Sequence, residues 1–214
     1  MITLHTWTTP NGKKVPILLE ELGISYEIRF VDIGKNEQFQ PDFLAISPNN
    51  KVPALVDSEA DGGPLSIFES GAIMTYLADK YGKFLAPSGH ARWKALEWLY
   101  WQVGGLGPMV GQVGFFAVMS KEKAPLAIDR FTKEAGRLLG VLEARLTQAP
   151  YLAGEEYTIA DIACYPWMVG ATTLAKEALE PHLENKPGID RWMVELAARP
   201  AVQRGMAITP PQNT

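Results

Sequence analysis

Three short stretches of this sequence carry side chains whose types and order suit work on a small molecule. Asn50-Lys51-Val52-Pro53-Ala54-Leu55 sets a proline at the threshold of a strand, where its missing N–H is tolerated only at an edge or at the first position. Two geometries are open there. A trans Pro53 is an ordinary strand start. A cis Val52-Pro53 bond turns the Val52 N–H and C=O outward, where they can pair like an added strand with the backbone of an extended peptide. Phe68-Glu69-Ser70-Gly71 follows. In its plainest reading Ser70 is a helix N-cap and Glu69 complements the helix dipole. In its functional reading the N–H groups of a helix start hold a carboxylate while Glu69 pairs with an ammonium group, so that together they recognise an α-amino acid head group. The third stretch, Thr8-Thr9-Pro10-Asn11-Gly12, is a capped helix start. Thr9 brings a hydroxyl to the positive end of that helix, and Asn11 a backbone N–H and a side-chain amide, all able to donate to a thiolate sulfur. Lowering a thiol pKa from ~8.5 to ~6.5 takes about 2.7 kcal/mol, and two or three such donors in a partly desolvated site are of that order.

The elements that must position these residues follow from periodicity and turn chemistry. Residues 2–6 are β-prone, and Val15, Leu18, Leu19 and Leu22 form a helical apolar stripe that Gly23 ends. Residues 26–31 alternate like a strand, so the opening is a strand, a crossover helix and a parallel second strand. A short helix is expected over 39–46. Residues 53–57 and 65–68 make a hairpin around Asp61-Gly62-Gly63-Pro64, and a helix from 69 to 81 carries Ile73, Met74, Leu77 and Tyr81 on one face. The order βαβαββα is that of a thioredoxin-like α/β domain. Beyond Ala86-Pro87-Ser88-Gly89 no strand is expected, and helical periodicity runs through 92–119, 125–147, 159–176 and 188–199. This change of character divides the chain into an α/β domain, 1–84, and an all-α helical domain, 85–214. In the helical half Thr158-x-x-Asp161 is a capping box before an apolar run, with a role in folding.

Composition excludes several classes of function. A chain of 214 residues that is 47% hydrophobic is globular. Its net charge of -4, without long runs of like charge, argues against nucleic-acid and membrane-surface partners. The sequence opens without a basic, apolar leader, which points to the cytoplasm. Residues 103–119 are apolar but contain Pro108, Gln112 and several glycines, and fall short of the ~20 apolar residues of a membrane span. The single cysteine, Cys164, excludes an internal disulfide, a C-x-x-C pair and a cysteine-based metal site, so thiol chemistry needs a thiol from outside. His5, His90 and His182 have no metal-ligand spacing.

Taken together, the strand-helix-strand opening, Val-Pro at the hairpin, Glu-Ser-Gly at the next helix and Thr-Ile-Ala-Asp in the helical half resemble the glutathione transferase superfamily over nearly the whole chain. Thr-Pro-Asn-Gly at 9–12, Gly34-Lys35 with Gln38, Ser-Pro-Asn-Asn-Lys-Val-Pro-Ala-Leu at 47–55, Phe-Glu-Ser-Gly-Ala-Ile at 68–73 and Trp-Gln-Val-Gly-Gly-Leu-Gly-Pro-Met at 101–109 are similar to its bacterial Nu class. The resemblance implies the glutathione transferase fold and a homodimer that binds glutathione or glutathione disulfide as cosubstrate, without another cofactor or a metal. It implies reduction of small disulfides at the expense of glutathione, with Thr9 and Asn11 in place of the catalytic tyrosine, serine or cysteine of other classes. Carried over by motif, the glutathione contacts are Asn11, Gln38, Lys51, the Val52 backbone beside Pro53, Glu69, Ser70 and Arg130. Two other functions compete: conjugation of glutathione to small electrophiles, with Trp7, Trp101, Met109, Phe115 and Phe116 lining the co-substrate pocket, and a non-catalytic glutathione-binding module. Retention of Thr9 and Asn11 argues against the last.

Overall fold

The computed structural model describes residues 1–211. Strand β1 (Ile2–Thr6) runs into α1 (Pro10–Leu22), whose start is fixed by Thr9: its Oγ1 accepts the Gly12 N–H at 3.0 Å, and Pro10 takes the first helical turn. The Thr6 hydroxyl donates to the Gly12 carbonyl at 2.7 Å, a buried bond that clamps this turn onto the strand. Gly12 is required there, because a Cβ on it would lie 2.0 Å from the Trp7 carbonyl oxygen. β2 (Tyr26–Phe30) returns parallel to β1, Ile2 facing Tyr26 and Thr6 facing Phe30, as a helical crossover allows.

The expected helix over 39–46 is shorter. Two single 3₁₀ turns, Ile33–Lys35 and Glu37–Phe39, precede α2 (Pro41–Leu44), and Asn36 between them takes a φ of 63°, which interrupts any regular helix. β3 (Ala54–Asp57) and β4 (Leu65–Phe68) form the antiparallel hairpin, and the sheet order is β2-β1-β3-β4. Pro53 stands just before β3, and α3 (Ser70–Tyr81) follows β4. Leu4, Leu18, Leu55, Ile73, Met74 and Leu77 are fully buried between the sheet and its helices. A smaller cluster of Val31, Phe43 and Ala54, with Ile46 and Val52 packed on it, supports the approach to the hairpin. Under the hairpin Asp57 is enclosed by the Tyr76 hydroxyl (2.7 Å), the Glu59 N–H (2.9 Å) and the Lys80 ammonium. Burial pushes its carboxyl up, but these three donors and the Lys80 charge outweigh that and hold it at about 2.

The described residues divide into two compact units, Met1–Lys83 with 199–211, and Phe84–Ala198. Helix α10 (Pro200–Ala207) therefore belongs with the sheet, a return that the division of the sequence at residues 84/85 does not anticipate. It lies against α1 so closely that a Cβ on Gly205 would stand 2.6 Å from the Ile17 backbone. Arg199 grips the largely buried Glu21 with two bonds, at 2.6 and 2.9 Å, and Arg204 reaches Glu20 at 2.6 Å. Lys13 donates to the Ile208 carbonyl.

In the second unit a single rod spans 89–119: α4 (Gly89–Trp101) and α5 (Gly107–Val113), each followed by a wider π turn, Gln102–Leu106 and Gly114–Met119. Pro108 lacks the N–H for a regular bond, and the Gly107 N–H bonds instead to the Gln102 carbonyl. The remaining helices described are α6 (Pro125–Gln148), α7 (Ile159–Thr172), α8 (Lys176–Leu183) and α9 (Pro187–Ala197). The capping box forms as expected, and Asp161, fully buried, also accepts from Leu152 N–H and Trp192 Nε1, each at 3.0 Å, tying α7 to α9. Among the described residues no helix is long and apolar enough to cross a membrane.

Candidate functional site

The three motifs meet in the first unit. The start of α1 supplies Asn11, the link into β3 supplies Lys51, Val52 and Pro53, and the junction of β4 with α3 supplies Phe68, Glu69 and Ser70; these seven residues line a cavity of about 260 Å³. Each wall has a local cause. Ser47, fully buried, donates its hydroxyl to the Lys51 carbonyl at 2.9 Å, and the Asn50 N–H closes a turn on the Ser47 carbonyl, also at 2.9 Å. Of the two geometries open to the Val52-Pro53 bond, the structure has the cis one.

At the third wall the N-cap of α3 is Glu69 and the first helical residue is Ser70, one position earlier than the plain reading, with Ser70 as N-cap, expects. Glu69 takes φ 72° and ψ 116°, a conformation that costs a non-glycine residue on the order of 1–3 kcal/mol and is characteristic of functional sites. Its carboxylate is approached at 3.4 Å by the Asn49 side-chain amide. The first backbone bond of α3 is the one Ile73 donates to Glu69 at 2.9 Å, so the N–H groups of Ser70, Gly71 and Ala72 precede the helix ladder and carry its positive end. A carboxylate and a donor-rich helix start, side by side at the rim of one cavity, are complementary to a zwitterionic head group.

Thr9 is not among the lining residues. Its oxygen is used to cap α1, which leaves its hydroxyl hydrogen to donate. Gln38, on the second 3₁₀ turn, also stands outside the lining set, with its Oε1 buried and without a hydrogen-bond partner. Arg130 is an exposed residue of α6 in the second unit, beside a cleft of about 590 Å³ shared with Met109, Leu126 and Phe131. A larger cavity of the first unit, about 550 Å³ around His5, Arg29 and Phe43, is lined by Lys35 of the Gly34-Lys35 motif but by none of the expected glutathione contacts. Cys164, on α7, is fully buried.

Lys14 escapes a motif-based reading. It is 1% exposed and its Nζ donates to Ser70 Oγ at 3.2 Å, directly behind the cavity wall. A signal was present, since Lys14 is a charged residue in register with Leu18 and Leu22 on the apolar stripe of α1.

The family model for the N-terminal domain of glutathione S-transferases matches residues 1–79, and that for their C-terminal domain matches residues 106–200. The chain belongs to the glutathione S-transferase family. Among its glutathione S-transferase relatives, the disulfide-bond oxidoreductase YfcG of Escherichia coli is 49% identical over 208 residues, 96% of this chain and 94% of that protein. The disulfide-bond oxidoreductase YghU of the same organism is 40% identical over 217 residues, 97% of this chain and 74% of that protein. Among solved structures of the family, a glutathione transferase family member from Pseudomonas fluorescens with two glutathione bound has a TM-score of 0.91 at 44% identity, covering 96% of this chain and 92% of the other. A glutathione transferase from Pseudomonas putida with one glutathione disulfide bound per subunit has a TM-score of 0.92 at 40% identity, covering 97% and 91%.

Proposed function

We propose that this glutathione S-transferase family protein reduces small disulfides with glutathione as the thiol source. The observation that carries the reading is the convergence of Asn11, Val52, Glu69 and Ser70 on one cavity, with a donor-rich turn at one end and a zwitterion-binding corner at the other. Glu69 and the α3 N-terminus hold the ammonium and carboxylate of the γ-glutamyl group, and the Val52 peptide pairs with the backbone of the tripeptide. Thr9 and Asn11 donate to the sulfur and keep it as thiolate. The bound thiolate attacks one sulfur of the disulfide and expels the other as thiolate, giving a mixed disulfide. A second glutathione thiolate then attacks the glutathionyl sulfur of that mixed disulfide, releases the second product thiol and leaves glutathione disulfide. No protein cysteine takes part, in keeping with the burial of Cys164. Glutathione-bound and glutathione disulfide-bound relatives, and relatives named disulfide-bond oxidoreductases, support this reading.

Lys51 and Pro53 complete the rim, while Gln38 and Arg130 are assigned glutathione contacts by motif. The same reading places the protein in the cytoplasm, where glutathione is kept reduced. A second copy of the chain covers apolar side chains that the monomer exposes: Phe68 at 38%, Trp93 at 65% and Tyr100 at 66%. The apolar face of α3, by contrast, is already buried within its own chain. Steady-state assays of the purified protein with glutathione and either a model disulfide or a model aryl halide test the function. Turnover of the disulfide well above that of the aryl halide is expected, and the reverse order makes the protein a conjugating enzyme.

A further inference from the structure

Lys14 lies on the buried side of α1, and its ammonium reaches the hydroxyl of Ser70, a residue of the cavity wall, at 3.2 Å. An ammonium group has hydrogens to give and no lone pair to accept with. In that contact Ser70 Oγ is therefore the acceptor, and its own single hydrogen must be given to something else. Ser70 opens α3 and borders the cavity, so the direction left to that hydrogen includes the ligand side. A hydroxyl whose oxygen accepts from a cation is also polarised into a stronger donor.

Resting on the glutathione reading of this cavity, we infer that Lys14 is a positioning residue that sets Ser70 as a hydrogen-bond donor and makes this corner select a carboxylate, the α-carboxylate of the γ-glutamyl group. Lys14 does not touch the ligand. It acts through Ser70, and its charge adds to the positive end of α3 from behind. The corner thus discriminates between ligands that carry the carboxylate and ligands that carry only the neighbouring amine.

The test compares two ligands by titration calorimetry: glutathione, and the tripeptide in which hydrogen replaces the γ-glutamyl α-carboxylate. With Lys14→Met, checked for native fold by circular dichroism and melting, glutathione affinity is expected to fall about tenfold or more, the size of one charge-assisted hydrogen bond. Affinity for the decarboxylated ligand is expected to stay within about twofold, because the carboxylate that accepts from Ser70 is missing from it. Equal losses for the two ligands make Lys14 a scaffold residue and overturn the inference. Should Lys14→Met fail to fold, Ser70→Ala carries the test, since it interrupts the same relay with Lys14 in place. It must narrow the preference for glutathione over the decarboxylated ligand, and an unchanged preference overturns the inference. Unmodified protein that binds neither ligand refutes the glutathione reading itself, which is a different result from equal losses in the variant.

Discussion

Replacing Thr9 by alanine removes two contributions that the structure allows to be told apart. Thr9 Oγ1 accepts the Gly12 N–H at 3.0 Å and so caps α1. Loss of a threonine cap costs about 1 kcal/mol, within a range of roughly 0.5–2. For a chain of this size that lowers the melting temperature by about 2–4 °C per kcal/mol. With a net stability of roughly 5–15 kcal/mol, a loss of 1 kcal/mol leaves almost every molecule folded and cannot by itself lower turnover measurably. The second contribution is the hydrogen that, under the proposed function, Thr9 donates to the sulfur of bound glutathione. Removing one preorganised donor to a developing or resident anion lowers turnover by ~10- to 1,000-fold. Thr9→Ala is therefore expected to melt a few degrees lower and to lose turnover out of proportion. Thr9→Ser, which keeps both the cap and the donor, should do neither. Asn11→Ala is expected to lose turnover without the cap penalty, and where one donor can cover for the other the double variant shows the full loss. Glu69→Gln should differ in kind: it weakens glutathione binding first, because an ammonium remote from the sulfur is equally charged in the ground and transition states. The measurements are steady-state kinetics with a model disulfide, calorimetric glutathione binding, and melting curves for all five variants. If Thr9→Ala/Asn11→Ala keeps the turnover number of the unmodified protein, the sulfur does not sit at this turn.

Cys164→Ala is expected to leave disulfide reduction essentially unchanged, since Cys164 is fully buried and the thiols come from glutathione; loss of most activity in a folded variant would make it the nucleophile. Asp57, held at about 2 against an unfolded value of 3.8, contributes stability on the order of 2 kcal/mol. A depressed carboxyl has its full effect above the unfolded pKa and loses it as pH falls toward the folded one, so the loss falls between about pH 4 and pH 2. Urea titrations over that range should show this slope in the unmodified protein and a flatter one in Asp57→Asn, and parallel curves would contradict the account. Gly205→Ala places a Cβ 2.6 Å from the Ile17 backbone and should destabilise the first unit by about 1–3 kcal/mol, read as a lower melting temperature; an unchanged melt would show that α10 gives way at no cost. Sedimentation at micromolar concentration is expected to give a dimer, and a monomer would leave the exposed Phe68, Trp93 and Tyr100 without their proposed cover.

What the sequence disclosed was what a residue does to neighbours within one turn or one strand pair. Thr9-Pro10 and Thr158-x-x-Asp161 start helices by bonding N–H groups two or three residues away, and both were legible for that reason. The hairpin around Asp61-Gly62 and the grouping of Val52-Pro53 with Glu69-Ser70 were legible in the same way, because β3 and β4 are adjacent in chain and in space. The features that escaped depend on partners far along the chain or on small shifts in register. Nothing near Gly205 says that it must lie on Ile17, and nothing near Lys14 names Ser70, 56 positions away, as its partner. The break after α7 at Thr172 and the separate α8 were hidden under one continuous periodicity over 159–176. The assignment of Ser70 as N-cap was one residue off because Glu69, at a φ of 72°, occupies a conformation that side-chain type does not foretell.

The pairing of α10 with α1 bears on the order in which the molecule can be finished. The helix that carries Asn11 at its start keeps one flank open until residues 199–208 arrive, and those are made after the whole of the second unit. On a ribosome, where synthesis runs at ~5–20 residues per second and earlier domains fold first, the second unit can close while the first still waits. An isolated 1–83 fragment would face the same shortage permanently, with Ile17 and the partners of Arg199 and Arg204 left uncovered. The half that holds the candidate cavity is encoded first and completed last.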